Sequence, residues 1–197
     1  KAGRAFSSGC VELALASYPG FSMTTPPTNG SPYGIYRPEY IARSEVSETV
    51  HLPDGSVEKL AAPAFATQVE PTPAKVSTPA TNGETVRQPL GSFVQARSGD
   101  KGGDANIGLW VGVGEKQAER AAWLAEFITV DRVRQLVPEA ADLDIEIFHL
   151  PNLYGVNVLI RRLLGDGVAA TTRFDPQAKG LGEWVRSRWV DVPEELA

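Results

Sequence analysis

The spacing of apolar and polar positions divides the chain into three stretches. Residues 1–60 are patterned only in short pieces. Residues 11–16 are apolar except for Glu12, and Ser8 is a candidate cap. A short helix is therefore expected there, ended by Tyr18-Pro19-Gly20. A short strand is expected over 21–24, before Pro26-Pro27 and Thr28-Asn29-Gly30 force turns. Residues 46–52 and 56–60 flank Pro53-Asp54-Gly55, which reads as a hairpin because Asp-Gly accepts the positive φ angles of a tight turn. Residues 61–88 have no periodic apolar face. Pro63, Pro71, Pro73 and Pro79 recur there among Thr and Ala, a composition that buries too little to offset chain entropy, and a flexible or extended linker is expected.

Residues 89–197 alternate in element type. Residues 92–97 read as a strand, followed by a glycine-rich loop and a second strand at 107–113. Residues 115–128 carry Ala118, Ala121, Leu124, Ala125 and Ile128 on one helical face. Thr129 is placed to cap a second helix bearing Val133, Leu136 and Val137, which Pro138 stops. Residues 143–150 alternate, with Leu143, Ile145 and Ile147 on one side and Phe148 and Leu150 on the other, as a strand requires. Residues 153–164 are expected as a helix with a stripe of Leu153, Val156, Ile160, Leu163 and Leu164, closed by Gly165. Residues 168–174 read as a β-branched strand, and Asp175-Pro176 turns into a last helix near 180–189. The expected order is β-β-α-β-α-β-α. The class is α+β, a small sandwich with one sheet covered by helices on one face. The expected organisation is thus 1–60, a linker at 61–88, and a domain at 89–197.

Composition narrows the setting. Of the 197 residues 42% are hydrophobic, enough for a packed core. The net charge of −5, with no basic tract, argues against general nucleic-acid binding and against an anionic membrane surface. Cys10 is the only cysteine, so no intrachain disulfide forms; a reducing, cytoplasmic setting is expected. No apolar run reaches the length of a membrane span. The chain opens without methionine and reads as a cut end.

The densest polar cluster runs from Arg97 to Gly108: Arg-Ser-Gly-Asp-Lys-Gly-Gly-Asp-Ala-Asn-Ile-Gly. Its glycines let backbone approach a ligand, and free N–H groups in such a loop can form an anion nest. Arg97, Ser98, Gly99, Gly102, Gly103 and Asn106 are the candidate ligand-binding residues, joined by Asn157 from the apolar stretch after it. Lys101, Asp104 and Asp100 are the candidate groups for proton transfer. The spacing matches neither the nucleoside-triphosphate loop nor the dinucleotide fingerprint. No metal site and no cofactor is expected. The alternative stays open that this is a plain tight turn, with Asp100 and Asn106 bonding local backbone. His149 sits at a strand end, as either a proton carrier or a hydrogen-bonded structural residue. His51, in the hairpin, is expected to face solvent. Trp184 and Trp189 read as core or interface anchors, and Arg161-Arg162, Arg186 and Arg188 as solvated helix faces.

The Arg97–Gly108 run resembles the hallmark of the acyclic terpene utilisation (AtuA-like) family. The runs Leu150-Pro-Asn-Leu-Tyr-Gly-Val-Asn-Val-Leu-Ile-Arg161 and Leu164-Gly-Asp-Gly-Val168 resemble it too. Val11 to Phe21 and Ser31-Pro-Tyr-Gly-Ile-Tyr36 are similar to the end of that family's large N-terminal domain. The resemblance implies a small ferredoxin-like domain, named for its fold and not for an iron–sulfur cluster, preceded by a remnant of the larger one. It also implies a setting in catabolism of acyclic terpenes or related branched acyl-CoA and carboxylate compounds, with no settled reaction. A carboxylate or acyl-CoA ligand is one expectation. A non-catalytic assembly module and a ligand-sensing domain are the others. The expected partners are the absent N-terminal domain or another subunit, and a homo-oligomer.

Overall fold

The computed structural model describes residues 3–23, 27–30, 32–61 and 83–197. It divides into two compact units, residues 1–34 and residues 35–197.

In the first unit, α1 spans Arg4–Leu15 with Gly3 at its N-cap, and none of its residues is buried. Ser8, expected as the cap, lies inside the helix. Ser7 donates its hydroxyl to the Pro27 carbonyl. Gly20 takes φ 85°, and Phe21 N–H donates to Tyr18 O at 3.1 Å, so the predicted turn forms. Residues 21–23, expected to open a strand, have no regular structure, and no strand among the described residues pairs with them; Thr24 lies outside the described residues.

The second unit begins with the predicted hairpin, β1 (Glu48–His51) against β2 (Val57–Leu60), in antiparallel register Glu48↔Leu60. Gly55 supplies the positive φ of 83°. Asp54 Oδ1 accepts both the Ser56 N–H at 2.9 Å and the Ser56 hydroxyl at 2.6 Å. These two bonds, hydroxyl first, lower the Asp54 pKa from its ordinary 3.8.

The rest of the unit holds β3 (Thr85–Pro89), β4 (Val94–Lys101), β5 (Asp104–Val111), α2 (Gln117–Phe127), α3 (Val130–Leu136), β6 (Ile145–Leu150), β7 (Gly155–Ile160), α4 (Leu181–Arg186) and β8 (Trp189–Pro193). Four strands form one antiparallel sheet in the order β4-β5-β7-β6, while β3 and β8 pair as a separate two-stranded ribbon. The class is α+β, as expected, but the order differs from the expected one. Residues 85–88, placed in the linker by composition, belong to β3; the stretch of that linker at 62–82 lies outside the described residues.

Alternation fixes the sheet's two faces. Ala105, Ile107, Leu109 and Val111 of β5 and Val156, Val158 and Ile160 of β7 are buried, while the residues between them are half-buried. The buried side packs against Leu124 of α2, Val133 and Leu136 of α3, and Leu181 and Val185 of α4 in one core. Each such fully buried aliphatic side chain contributes about 1.5–3 kcal/mol. That burial holds α3 and α4, only seven and six residues long, as helices. Thr129 caps α3 as predicted, its Oγ1 accepting the Arg132 N–H at 3.2 Å.

Three expectations are corrected. Residues 153–164, expected as a helix, contain strand β7. It is central and hydrogen-bonded to β5 on one edge and β6 on the other, and two ladders outweigh helical spacing. Residues 168–174, expected as a strand, are irregular: Ala170 and Thr171 N–H groups both donate to Gly167 O, spending locally the bonds a ladder needs. The last helix stops at Arg186 instead of running to 189, and Trp189 opens β8.

Candidate functional site

The glycine-rich segment is a β-hairpin, not an open loop. Strands β4 and β5 continue to the register pair Lys101↔Asp104, leaving only Gly102 and Gly103 as the turn. Gly102 supplies a positive φ of 66°. Gly103 is required for space: a Cβ there meets the Gly165 carbonyl oxygen well inside contact distance. Gly103 O also accepts the Leu164 N–H at 2.9 Å, so the turn is fastened to the segment after β7.

Where the amides go follows from ladder parity. Val111 N–H donates to Tyr154 O at 3.0 Å, on the β7 side. In an antiparallel pair, bonded and non-bonded positions alternate. The backbone groups of Gln95, Arg97, Gly99 and Lys101 therefore face β5, and those of Ala96, Ser98 and Asp100 face the outer edge of β4. The expectation of a row of free amides from Arg97 to Gly108 is corrected accordingly: most are engaged between strands.

The side chains are also largely engaged with one another. Asp104 Oδ2 pairs with the Arg161 guanidinium at 2.8 Å, and Oδ1 accepts the Arg162 N–H at 2.8 Å. Arg161 Nε reaches Glu146 at 2.6 Å. Those two carboxylates, Glu146 foremost, raise the Arg161 pKa above its ordinary value. Asn106 Nδ2 donates to Asn157 Oδ1 at 3.1 Å, so the two candidate amides engage each other across β5 and β7. Ser98 is buried, accepts the Gly182 N–H at 2.8 Å and donates to Lys179 O at 3.3 Å. Lys179 reaches over the β4 edge, 3.8 Å from Asp100 and 3.1 Å from where a Cβ on Gly99 would stand. Arg97 and Lys101 are exposed and form no ion pair among the described residues.

The sheet thus separates the candidate residues. Lys101, Asp104, Arg97, Gly99, Asn106 and Asn157 share the face away from the helices, while Ser98 and Asp100 alternate onto the helix side. Asp100 is not brought together with Lys101 and Asp104. His149 lies on the helix side of β6, and its buried Nδ1 has no partner among the described residues.

Sequence reasoning missed two surfaces. The first is the sheet face itself, with Trp110, Leu159, Phe148 and Leu150 around Gly108 and Gly155; its signal was the alternation in 104–111 and 155–160. The second is a pair of clefts by α4. One, of about 320 Å³, is walled by Phe174, Leu181 and Trp184. The other, of about 500 Å³, is lined by Arg87, Arg132 and Arg188. No local pattern marks either, since their walls come from distant segments. No helix among the described residues is long and apolar enough to cross a membrane.

Among known protein families, the model of the AtuA ferredoxin-like domain matches residues 88–191. No curated protein and no solved structure matches the chain.

Proposed function

The chain belongs to the AtuA ferredoxin-like domain family, and from that premise we propose that residues 83–197 act as a non-catalytic assembly module. Its setting is a protein that takes part in breakdown of acyclic terpenes or related branched acyl-CoA and carboxylate compounds. One observation carries the assembly reading: the sheet face away from the helices bears an apolar patch, running from Phe148 and Leu150 on the β6 edge past Gly155 to Trp110, that no described element covers. Phe148 is 46% and Leu150 38% exposed on it, beside half-buried Trp110 and Leu159. Exposed apolar surface of this kind marks a docking face.

The charges on this face favour a second copy as the occupant. Arg97 and Lys101 stand at its β4 edge and Glu146 at its β6 edge. A two-fold axis parallel to the strands sets Arg97 and Lys101 of each copy over the β6 edge of the other, where Glu146, shared with Arg161, is the acidic group they meet, the self-complementarity of a symmetric dimer. The hairpin's own bonds support positioning over proton transfer, since both oxygens of Asp104 already have donors.

Light scattering of the full chain tests this. The expected result is a dimer that Phe148→Lys with Leu150→Lys converts to monomer without changing the circular dichroism spectrum. A wild-type monomer across micromolar concentrations, or an oligomer indifferent to the double variant, overturns it. A second reading rests on Lys101, a cation without an ion pair among the described residues, registered opposite Asp104 on the same face. With Arg97 it would hold a carboxylate or acyl-CoA anion, and Lys101→Ala would then abolish turnover of such a substrate by the complete protein.

A further inference from the structure

On the helix side of the domain, three arginines from separate segments line the 500 Å³ cleft. They are Arg87 of β3, Arg132 of α3 and Arg188 between α4 and β8. The chain carries a net charge of −5, so a local excess of cations runs against its overall balance. The one carboxylate in the lining is Asp191. It sits 3.4 Å from Arg87, with both side chains 64% exposed, a geometry in which ion pairs contribute little. Arg132 and Arg188 form no ion pair among the described residues.

Both unpaired guanidinium groups are nevertheless held in place. Arg188 donates from Nε to Leu136 O at 3.1 Å and lies 4.0 Å over the Trp184 ring. Arg132 donates to Gln135 Oε1 at 2.7 Å and lies 4.7 Å from the Phe127 ring centroid. Stacking and a single hydrogen bond fix each plane, and they leave both terminal nitrogens of Arg188 and one of Arg132 as donors. Cations ordered in advance and lacking a counter-charge recognise carboxylate and phosphate oxygens well, because little side-chain freedom remains to be lost on binding. Trp189, 60% exposed on the cleft wall, adds a flat apolar surface.

We propose that this cleft is a binding site for a small organic polyanion carrying phosphate or carboxylate groups. The volume lies in the range of small-molecule sites, well above that of a bare phosphate ion. The site is independent of the sheet face.

Calorimetric titration of the full chain at low salt tests it, with citrate, inorganic pyrophosphate and ATP as probes. Citrate against pyrophosphate separates carboxylate from phosphate recognition, and ATP against pyrophosphate reports the value of a planar body beside Trp189. The expected result is a Kd below about 1 mM for at least one probe, weakened about tenfold or more by Arg132→Gln and by Arg87→Gln. Arg188 packs on Trp184, so its replacement risks the fold and is not needed. Lys59→Gln, on the β2 strand, removes an equal charge elsewhere and leaves affinity unchanged. Binding by none of the probes at that level overturns the proposal. So does an affinity that survives both arginine variants, or one that Lys59→Gln weakens equally.

Discussion

Replacing Gly103 by alanine separates two explanations of the glycine-rich hairpin, one in which glycine admits a ligand and one in which it admits the protein's own backbone. The added methyl points into the Gly165 carbonyl oxygen, a backbone atom that cannot swing aside as a side chain can. Yielding requires moving residues 164–165, and Leu164 is fully buried. Overpacking of this kind costs about 1–3 kcal/mol. Displacing Gly103 O from the Leu164 N–H forfeits about 1 kcal/mol more. The lower freedom of alanine in the unfolded chain returns about 0.4–1 kcal/mol. The net expectation is a loss of about 1–3.6 kcal/mol, or a melting point lower by roughly 4–15 °C for a domain of this size. Urea unfolding followed by tryptophan fluorescence measures it, with Gly114→Ala as the reference, since nothing lies within 4 Å of that position. A Gly103→Ala midpoint equivalent to that reference within about 0.5 kcal/mol would refute the packing argument.

Other outcomes follow from single contacts. Ser98→Ala leaves the buried Gly182 N–H without its acceptor and is expected to cost about 1–3 kcal/mol by the same denaturation assay; a change too small to resolve would mean that Gly182 finds another acceptor. Leu124→Ala empties a fully buried position in the core between sheet and helices and is expected to cost about 2–5 kcal/mol, read as a lowered urea midpoint. Because the folded Asp54 pKa is depressed below 3.8, its contribution to the β1–β2 turn is present above 3.8 and is lost as pH falls through the depressed value. The Ser56 amide resonance is therefore expected to titrate with a midpoint under 3.8, and a midpoint at or above 3.8 counts against the Asp54–Ser56 bonds.

Local chemistry was the legible part of the sequence. Asp54-Gly55 announced its hairpin, Thr129 its cap, and the alternation of 143–150 its strand, because each signal acts over a few residues. The polar cluster at 97–108 was found, but its glycines suggested an open loop where two of them only turn the chain. What distinguishes a ligand nest from a tight hairpin is the contact with Gly165, some sixty residues away. The segment 153–164 was misread for a related reason. Val156, Ile160, Leu163 and Leu164 satisfy helical spacing, yet Val156, Val158 and Ile160 also satisfy strand spacing. The choice was made by pairing with β5 and β6, which no local window contains. Strands β3 and β8 were missed outright, since each is short and finds its only partner about a hundred residues away. The arginine cleft was invisible for the same cause: its three cations come from three separate segments.

The β3–β8 ribbon has a mechanical consequence. Thr85 stands opposite Pro193 and Pro89 opposite Trp189, so the chain enters and leaves at the same end of the ribbon. Tension applied through the segment before Thr85 and the segment after Pro193 first strains the last residues, whose carbonyls accept from Lys116 and Arg120 and whose Leu196 is buried. Once these let go, it opens the rungs one at a time, as a zipper is opened, instead of shearing them together. The same closeness of entry and exit would let this domain be spliced into a surface bend of a host protein without stretching either.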